Sequence, residues 1–582
     1  MLAPVALALL FSLSATGALP RPPLEPVFDA SSAVAVAEEL STEFPSRVPG
    51  TGDAANAARW YSETMAGLGL DTEEEVWSAD LVDLGGVELR NIVTVIPGRS
   101  EEAIVLVAHR DNTGTDKEYG DNASGTAALI ELARGFAPQE ALAASPLPNR
   151  TLVLVSTDAG AYGGAGAVHF ARTSAYVREA LAAIVLDDVG ADGRPRIALA
   201  GNGSRSPART LVRTASARIS EQTGQAPSIP SVLTQLVDLG IPFAAAEHGP
   251  FVAKGVAAIS LTTRESARAN ARDLAGGLSE QRLGELGRAT EALVGSIDAS
   301  VGAAFRTPDS VFLEDRAASG WTVRLAFVVA IVPFALGILD LLARGRRRRL
   351  PFRPAVRALR TRLLFWSWAG ALLWAGGLTG VLPTGAALPL PPSSAFIVDS
   401  NVAGIALLAV AFVLGWLALR RPLVPLEQPT AEERLAGYTC ALAWLGVVAL
   451  VVALTKPFAL AFVLPSLYAW LWLPLQAQLW QRVGIYGMGL VGPIGGILLL
   501  GRELGLGPAD TTLYVAGLAT VGYISLFSVL LALAWLTAAA QLGALAFGRY
   551  APYAGGAEPP PPGPVRTAAD GLRQRIDDRS AG

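Results

Sequence analysis

Two hydrophobic patterns divide this chain, and the change comes near residue 320. Before it, short apolar runs of strand length alternate with segments whose apolar residues recur at helical spacing. VELRNIVTVIPG (87–98), AIVLVAH (103–109), TLVLVSTDAG (151–160), LAAIVLDDVG (181–190) and GVAAISLTT (255–263) predict strands. The first two flank a Pro-Gly turn. Helices are predicted within 29–70, one carrying Ala33, Val34, Val36, Ala37 and Leu40, the other from Ala54 to Leu68 before Gly69. Further helices are predicted at 122–136, 165–174, 207–221 and 279–298. Continuous apolar strands alternating with helices predict a mostly parallel sheet covered on both faces.

After residue 320 the apolar runs lengthen. Seven are long enough to span a bilayer, near 321–342, 362–382, 401–419, 435–454, 458–478, 483–501 and 514–545. The last is long enough to tilt or to split in two. The expected architecture is an α/β domain followed by an all-α transmembrane bundle. Its parts are an N-terminal segment (1–24), a soluble domain (25–305), a linker (306–320), a membrane domain (321–547) and a disordered tail (548–582). LAPVALALLFSLSATGAL (2–19) reads as a signal peptide, an uncleaved anchor or the product of a misplaced start codon. Arg344, Arg346, Arg347, Arg348 and Arg349 follow the first span, so that loop is expected in the cytoplasm. The soluble domain is then extracytoplasmic and the tail cytoplasmic, with the plasma membrane as the expected location.

Composition narrows the chemistry. Of 46 basic residues three are Lys (Lys117, Lys254, Lys456), leaving 43 Arg, and the net charge is −4. No basic tract lies in the soluble part, which argues against nucleic acid as a partner. The single cysteine, Cys440, sits in an apolar run, so neither a disulfide framework nor a Cys-based zinc site is expected. Three His (His109, His169, His248) exclude a His-rich metal cage. Within the spans Asp340 lies beside Arg344, and no ion relay is visible. Transport is the weakest of the functional readings.

The richest stretch is 103–136. An apolar strand delivers His109, Arg110 and Asp111, and a polar loop then leads to Gly120-Asp121-Asn122-Ala123-Ser124-Gly125 at a helix start. Ligands in open α/β sheets sit beyond the carboxyl ends of the strands. On spacing alone this is either a metal site or a loop histidine with Asp121 as an ordinary helix N-cap.

PSRVPGT, RNIVTVIPG, AHRD, GDNASGTAALIELAR, LDDVG and EHGPFVAKGVAAISLTT, in that order, resemble metallopeptidase family 28. These are zinc aminopeptidases of the aminopeptidase S and Y type, and the likeness covers about residues 28–300. It implies a zinc-aminopeptidase-like fold and one or two zinc ions. His109 and Asp187 would hold one ion, Asp121 would bridge, His248 would hold the second, and Asp111 would orient His109. Zinc lowers the pKa of its bound water to about 7. The whole layout is similar to that of the endoplasmic-reticulum metallopeptidases and bacterial relatives.

The chain departs from the family where two consecutive Glu, a general base and a metal ligand, are required. The register set by Gly163 and Gly166 puts Gly160 and Ala161 there. Asp158 stands two residues, about 6.6 Å, upstream and falls short. Asp188 points to the opposite face if its strand continues, Tyr162 is a weak base, and Glu247 matches a position that is often acidic in the family anyway. His169 reads as a surface or core histidine. The expectation is therefore a membrane-anchored peptidase-like protein with weakened or lost hydrolysis. The alternative is a non-catalytic binding or scaffold protein on the same fold, with a peptide or protein as partner.

Overall fold

The computed structural model describes residues 12–14, 16–114, 121–137, 147–201, 203–241, 243–244, 246–264, 277–300, 305–314, 316–398, 401–423 and 430–548. Most of the N-terminal apolar segment (1–11) and the Pro-rich tail (549–582) lie outside the described residues. The chain forms two compact units, one of residues 1–326, 385–398 and 497–518, the other of 327–384, 399–496 and 519–582.

The first unit runs α1 (Ala30–Glu43), α2 (Gly52–Gly67), β1 (Thr72–Leu81), β2 (Gly85–Ile96), β3 (Ser100–His109), α3 (Ala123–Phe136), β4 (Arg150–Thr157), α4 (Ala165–Thr173), α5 (Tyr176–Glu179), β5 (Ala180–Asp187), β6 (Arg196–Ala198), α6 (Arg209–Thr223), α7 (Val232–Gly240), α8 (Gly249–Lys254), β7 (Ala257–Thr262) and α9 (Glu280–Asp298). A small hairpin, β8 (Val311–Leu313) with β9 (Arg316–Ala318), follows.

The seven strands make one mixed sheet in the order β1-β2-β4-β3-β5-β7-β6. β4, β3, β5 and β7 are parallel, and β1, β2 and β6 join antiparallel. The two strands around the Pro-Gly turn do not pair with each other, because β4 lies between them. β1 has no apolar run, since TEEEVWSADL alternates as the solvated edge of the sheet, and its strand character escapes a search for buried runs. α7, α8 and β6 are likewise too short to register as periods.

Alternation in β3 explains its continuous apolarity. Ile104, Leu106 and Ala108 face a core built with α3, α6 and α9, whereas Val105 and Val107 face one closed by Phe170 and Phe251. Each fully buried Val, Leu or Ile contributes about 1.5–3 kcal/mol relative to exposure, so the parallel strands are held firmly from both faces.

The C-terminal part runs α10 (Gly320–Arg347), α11 (Phe352–Leu378), α12 (Ala395–Val398), α13 (Val402–Leu423), α14 (Ala431–Thr455), α15 (Leu460–Leu471), α16 (Leu479–Leu504), α17 (Pro508–Thr520) and α18 (Leu526–Ala546). Among the described residues six helical stretches are long and apolar enough to cross a membrane, not seven. The run at 362–382 falls on α11, which carries Arg353, Arg357, Arg360 and Arg362 and is not among the six. The run at 514–545 divides into α17 and α18 at a turn containing Gly522 (φ +81). Within the second unit Trp470 donates to the Tyr486 carbonyl (3.0 Å) and stacks on its ring. Asp340 pairs with Arg344 at 2.8 Å, one helical turn away.

Candidate site at the carboxyl ends of the parallel strands

The parallel strands deliver their carboxyl ends to one edge, placing His109 beside Thr157 and Asp187 beside Thr262. His109 Nδ1 lies 3.2 Å from Asp111 Oδ1. The Asp111 carboxylate also accepts from the backbone N–H of Gly160 (2.7 Å) and Ala161 (3.0 Å). One carboxylate therefore positions the imidazole and ties the loop after β4 down onto it.

That loop leaves no space above position 160. A Cβ there would stand 2.3 Å from both Cβ and Cγ of His109. Glycine at 160 is thus a condition of His109 lying where it does. Asp158 turns away from the site, accepting from Arg90 N (3.1 Å) and pairing with buried Arg110 at 3.6 Å. Tyr162 is buried in a small apolar cluster with Leu81 and Leu89, and burial raises its pKa. His169 stacks on Trp77 with ring centroids 3.9 Å apart.

Two arginines that the sequence reading did not single out hold the carboxylates. Arg47, fully buried, donates from Nη2 to Asp121 Oδ1 at 2.5 Å. The same oxygen accepts from Ala123 N, while the N-cap of α3 is Asn122, not Asp121. Arg264 lies 3.6 Å from Asp187 Oδ1 through Nη1, 3.1 Å from Asp188 Oδ2 through Nε, and donates from Nη2 to the Asp121 carbonyl (3.0 Å). The strand does not continue to Asp188. That residue takes a left-handed φ of +52, which brings its carboxylate to Arg264 rather than to the opposite face. In a chain with 43 arginines, neither position carries a signal that sets it apart.

His109 Nε2 faces Asp187 Oδ1 at 3.7 Å. Burial alone would depress the imidazole's pKa, but Asp111, with Asp187, outweighs it and holds His109 well above its ordinary range. Burial pushes Asp187 up, yet Arg264 and then His109 bring it down to about 2. Glu247 is buried, its Oε1 accepts from Thr157 Oγ1 (2.7 Å), and burial lifts it to about 7 against the pull of His109. Burial lowers His248 to about 4. Neither of its ring nitrogens makes a well-formed hydrogen bond, although the Ala200 backbone is near enough to act on the ring.

A cavity of about 150 Å³ joins these groups, lined among others by His109, Gly160, Asp187, Glu247, His248 and Arg264. The two-ion arrangement does not fit these side chains. Asp121 is engaged by Arg47, Asp187 faces a guanidinium, position 161 is Ala and position 160 has no room. Among the described residues no three His, Cys, Asp or Glu side chains converge as a metal-binding group.

The sequence profile of Peptidase family M28 matches residues 91–286. No curated protein sequence matches the chain. Solved structures similar to it include the Bacillus subtilis zinc aminopeptidase BSAP (14% identity, TM-score 0.38, covering 50% of this chain and all of that one). The glutaminyl cyclase of Porphyromonas gingivalis is similar at 20% identity and TM-score 0.35, covering 47% of this chain and all of that one. A putative Zn-dependent exopeptidase from Bacteroides vulgatus is similar at 18% identity and TM-score 0.34, covering 46% and 97% of the two chains.

Proposed function

We propose that the sheet-built unit is a ligand-binding domain of the M28 peptidase type that does not perform two-zinc peptide hydrolysis. The apolar helices would hold it at a membrane, with the domain on the extracytoplasmic side of the plasma membrane and the Arg-rich loop after α10 in the cytoplasm. The observation carrying this reading is Arg264. A guanidinium within reach of Asp187, Asp188 and the Asp121 backbone already supplies the positive charge that those carboxylates need. Arg47 on Asp121, and the closure of the loop over position 160, support the same conclusion.

A one-ion hydrolase is the second reading, favoured by one feature. Among the described residues His248, Asp187 Oδ1 and Glu247 Oε2 face the cavity without hydrogen-bond partners of their own. Purified full-length protein in detergent separates the two. Metal content is measured after incubation with zinc, and a panel of aminoacyl and peptide substrates is assayed with and without chelator. Substoichiometric zinc and no chelator-sensitive turnover are expected. One zinc per chain with turnover abolished by His109→Ala would overturn the ligand-binding reading.

A further inference from the structure

α7 breaks the usual pattern of a helix on an aqueous surface. Its most polar side chains, Gln235 and Asp238, are buried, each residue 4% exposed, together with Leu236, Val237 and Leu239. What it leaves outside is apolar: Val232, Leu233 (54% exposed) and, just past its end, Ile241. Between Ala226 and Ile241 the one ionisable residue is the buried Asp238. A helix that meets water carries polar residues outward, and one that is apolar all round needs cover all round.

The surroundings of α7 point to that cover. The Gln235 amide clamps the hairpin, donating from Nε2 to the Phe312 carbonyl (3.0 Å) and accepting at Oε1 from Phe312 N (2.7 Å). Two residues beyond the end of β9 the chain enters α10, one of the six helices of membrane-crossing length. At 1.5 Å per residue the 28 residues of α10 extend about 42 Å, matching a bilayer of roughly 40–45 Å with its headgroups. Set across a bilayer, α10 therefore puts Gly320 at headgroup level and exposed Trp321 in the interfacial aromatic belt. Asp238 faces Glu503 in the last turn of α16, a second helix of membrane-crossing length. Phe243 meets the Tyr514 ring edge-on, with centroids 6.0 Å apart. All these residues belong to the first compact unit. α7 is thus fixed from two directions by chain lying where membrane-length helices begin and end. Leu313, at the tip of the hairpin, is exposed as well. Arg316 and Arg324, the second paired with Asp309, are exposed close by in the chain.

We propose that α7 and the β8–β9 hairpin rest on the lipid surface, with Val232, Leu233, Ile241 and Leu313 seated between headgroups and acyl chains. This rests on the reading of the apolar helices as membrane spans. Apolar helix faces in such contacts reach about 5–10 Å into that boundary, and the guanidinium groups of Arg316 and Arg324 suit lipid phosphates. The sheet is then held at a set height above the bilayer rather than carried on a free tether. Phe243, two residues after Ile241, lines the cavity, so the wall of the candidate site begins beside the lipid contact.

The single cysteine of the chain makes the test direct. In a Cys440→Ser background, Leu233→Cys, Ile241→Cys and Leu313→Cys are each labelled with an environment-sensitive fluorophore. Leu147→Cys, exposed just before β4, is the aqueous reference, and Val328→Cys, exposed on α10, is the lipid reference. Each full-length protein is placed in phosphatidylcholine–phosphatidylglycerol liposomes and quenched with brominated phosphatidylcholine or with aqueous iodide. Labels at 233, 241 and 313 should be quenched by brominated lipid at least twofold more than the label at 147, and by iodide at least twofold less. Three positions keep the test standing if one substitution disturbs the fold. Lipid quenching at 328 with iodide quenching at 233 and 241 equal to that at 147 overturns this proposal alone. Protection from iodide without quenching by lipid, the result of a protein partner or a second copy covering α7, overturns it too. Absence of lipid quenching at 328 overturns the membrane reading and this proposal with it.

Discussion

β3 and β4 lie side by side in parallel, with His109 opposite Thr157, yet they end in opposite ways. β3 finishes in a charged cluster, in which His109, Asp111 and, across the loop, Asp121 all have polar partners. β4 finishes in Thr157, after which Asp158 turns away to Arg110 and the loop brings Gly160 and Ala161, which contribute backbone N–H groups and space. The difference teaches that the two ends are complementary rather than independently altered. The bare loop after β4 is what lets Asp111 capture two amides and lets His109 fill the volume above Gly160. Arg264 and Arg47 then complete on the charged side what the loop does not supply.

Four measurements break or sharpen this contrast. The largest effect is expected from Arg264→Ala, which leaves half-buried Asp187 and buried Asp188 without their cation. Breaking a buried pair in this way costs about 3–5 kcal/mol, seen as a lower thermal midpoint of the full chain. If Arg264 is the resident counter-charge, zinc should raise the midpoint of this variant and leave the unaltered protein where it is. Next comes Glu247. Its carboxyl is raised from 4.5 to about 7 in the fold, so folding favours the protonated form. The associated stability is complete below pH 4.5 and is lost as pH rises through about 7. The displacement corresponds to about 3 kcal/mol at 1.36 kcal/mol per pH unit. Glu247→Gln should remove that slope, and a difference curve against the unaltered chain between pH 4.5 and 8 that stays flat would contradict the burial of this carboxyl.

Gly160→Ala is smaller, about 1–3 kcal/mol from overpacking against His109. Gly160→Glu should be at least as destabilising and should produce no hydrolysis. A stable, active Gly160→Glu chain would mean that the loop opens freely and that the two strand ends are not interlocked. The smallest effect is assigned to Asn122→Ala. Its side chain caps α3 at Gly125 N and also accepts from Asp188 N (2.7 Å). Loss of a cap costs about 0.5–2 kcal/mol, and amide exchange in the first turn of α3 should rise with it.

The alternating core of the sheet was legible because continuous apolar runs and 3.6-residue periods are set by burial, and burial is what the residues themselves encode. The same logic found His109, Asp111, Asp121 and Asp187 as polar groups at strand and helix ends. It passed over β1, whose acidic residues hide an edge strand, and over the insertion of β4 between β2 and β3, which depends on long-range pairing. Arg47 and Arg264 were invisible for another reason. Their importance comes from where a turn aims them, and the left-handed backbone at Asp188 that brings its carboxylate to Arg264 has no local period. The crowding at 160 was not visible in the sequence either, since it comes from a side chain 51 positions earlier in the numbering.

Mutual exclusion between the side chain of residue 109 and any side chain at 160 makes the two positions a single unit for substitution. A Glu placed at 160 meets an occupied volume, and a retreat of His109 to make room would give up its contact with Asp111. Seating a carboxylate at 160 therefore needs at least two coordinated changes, one at 160 and one at 109.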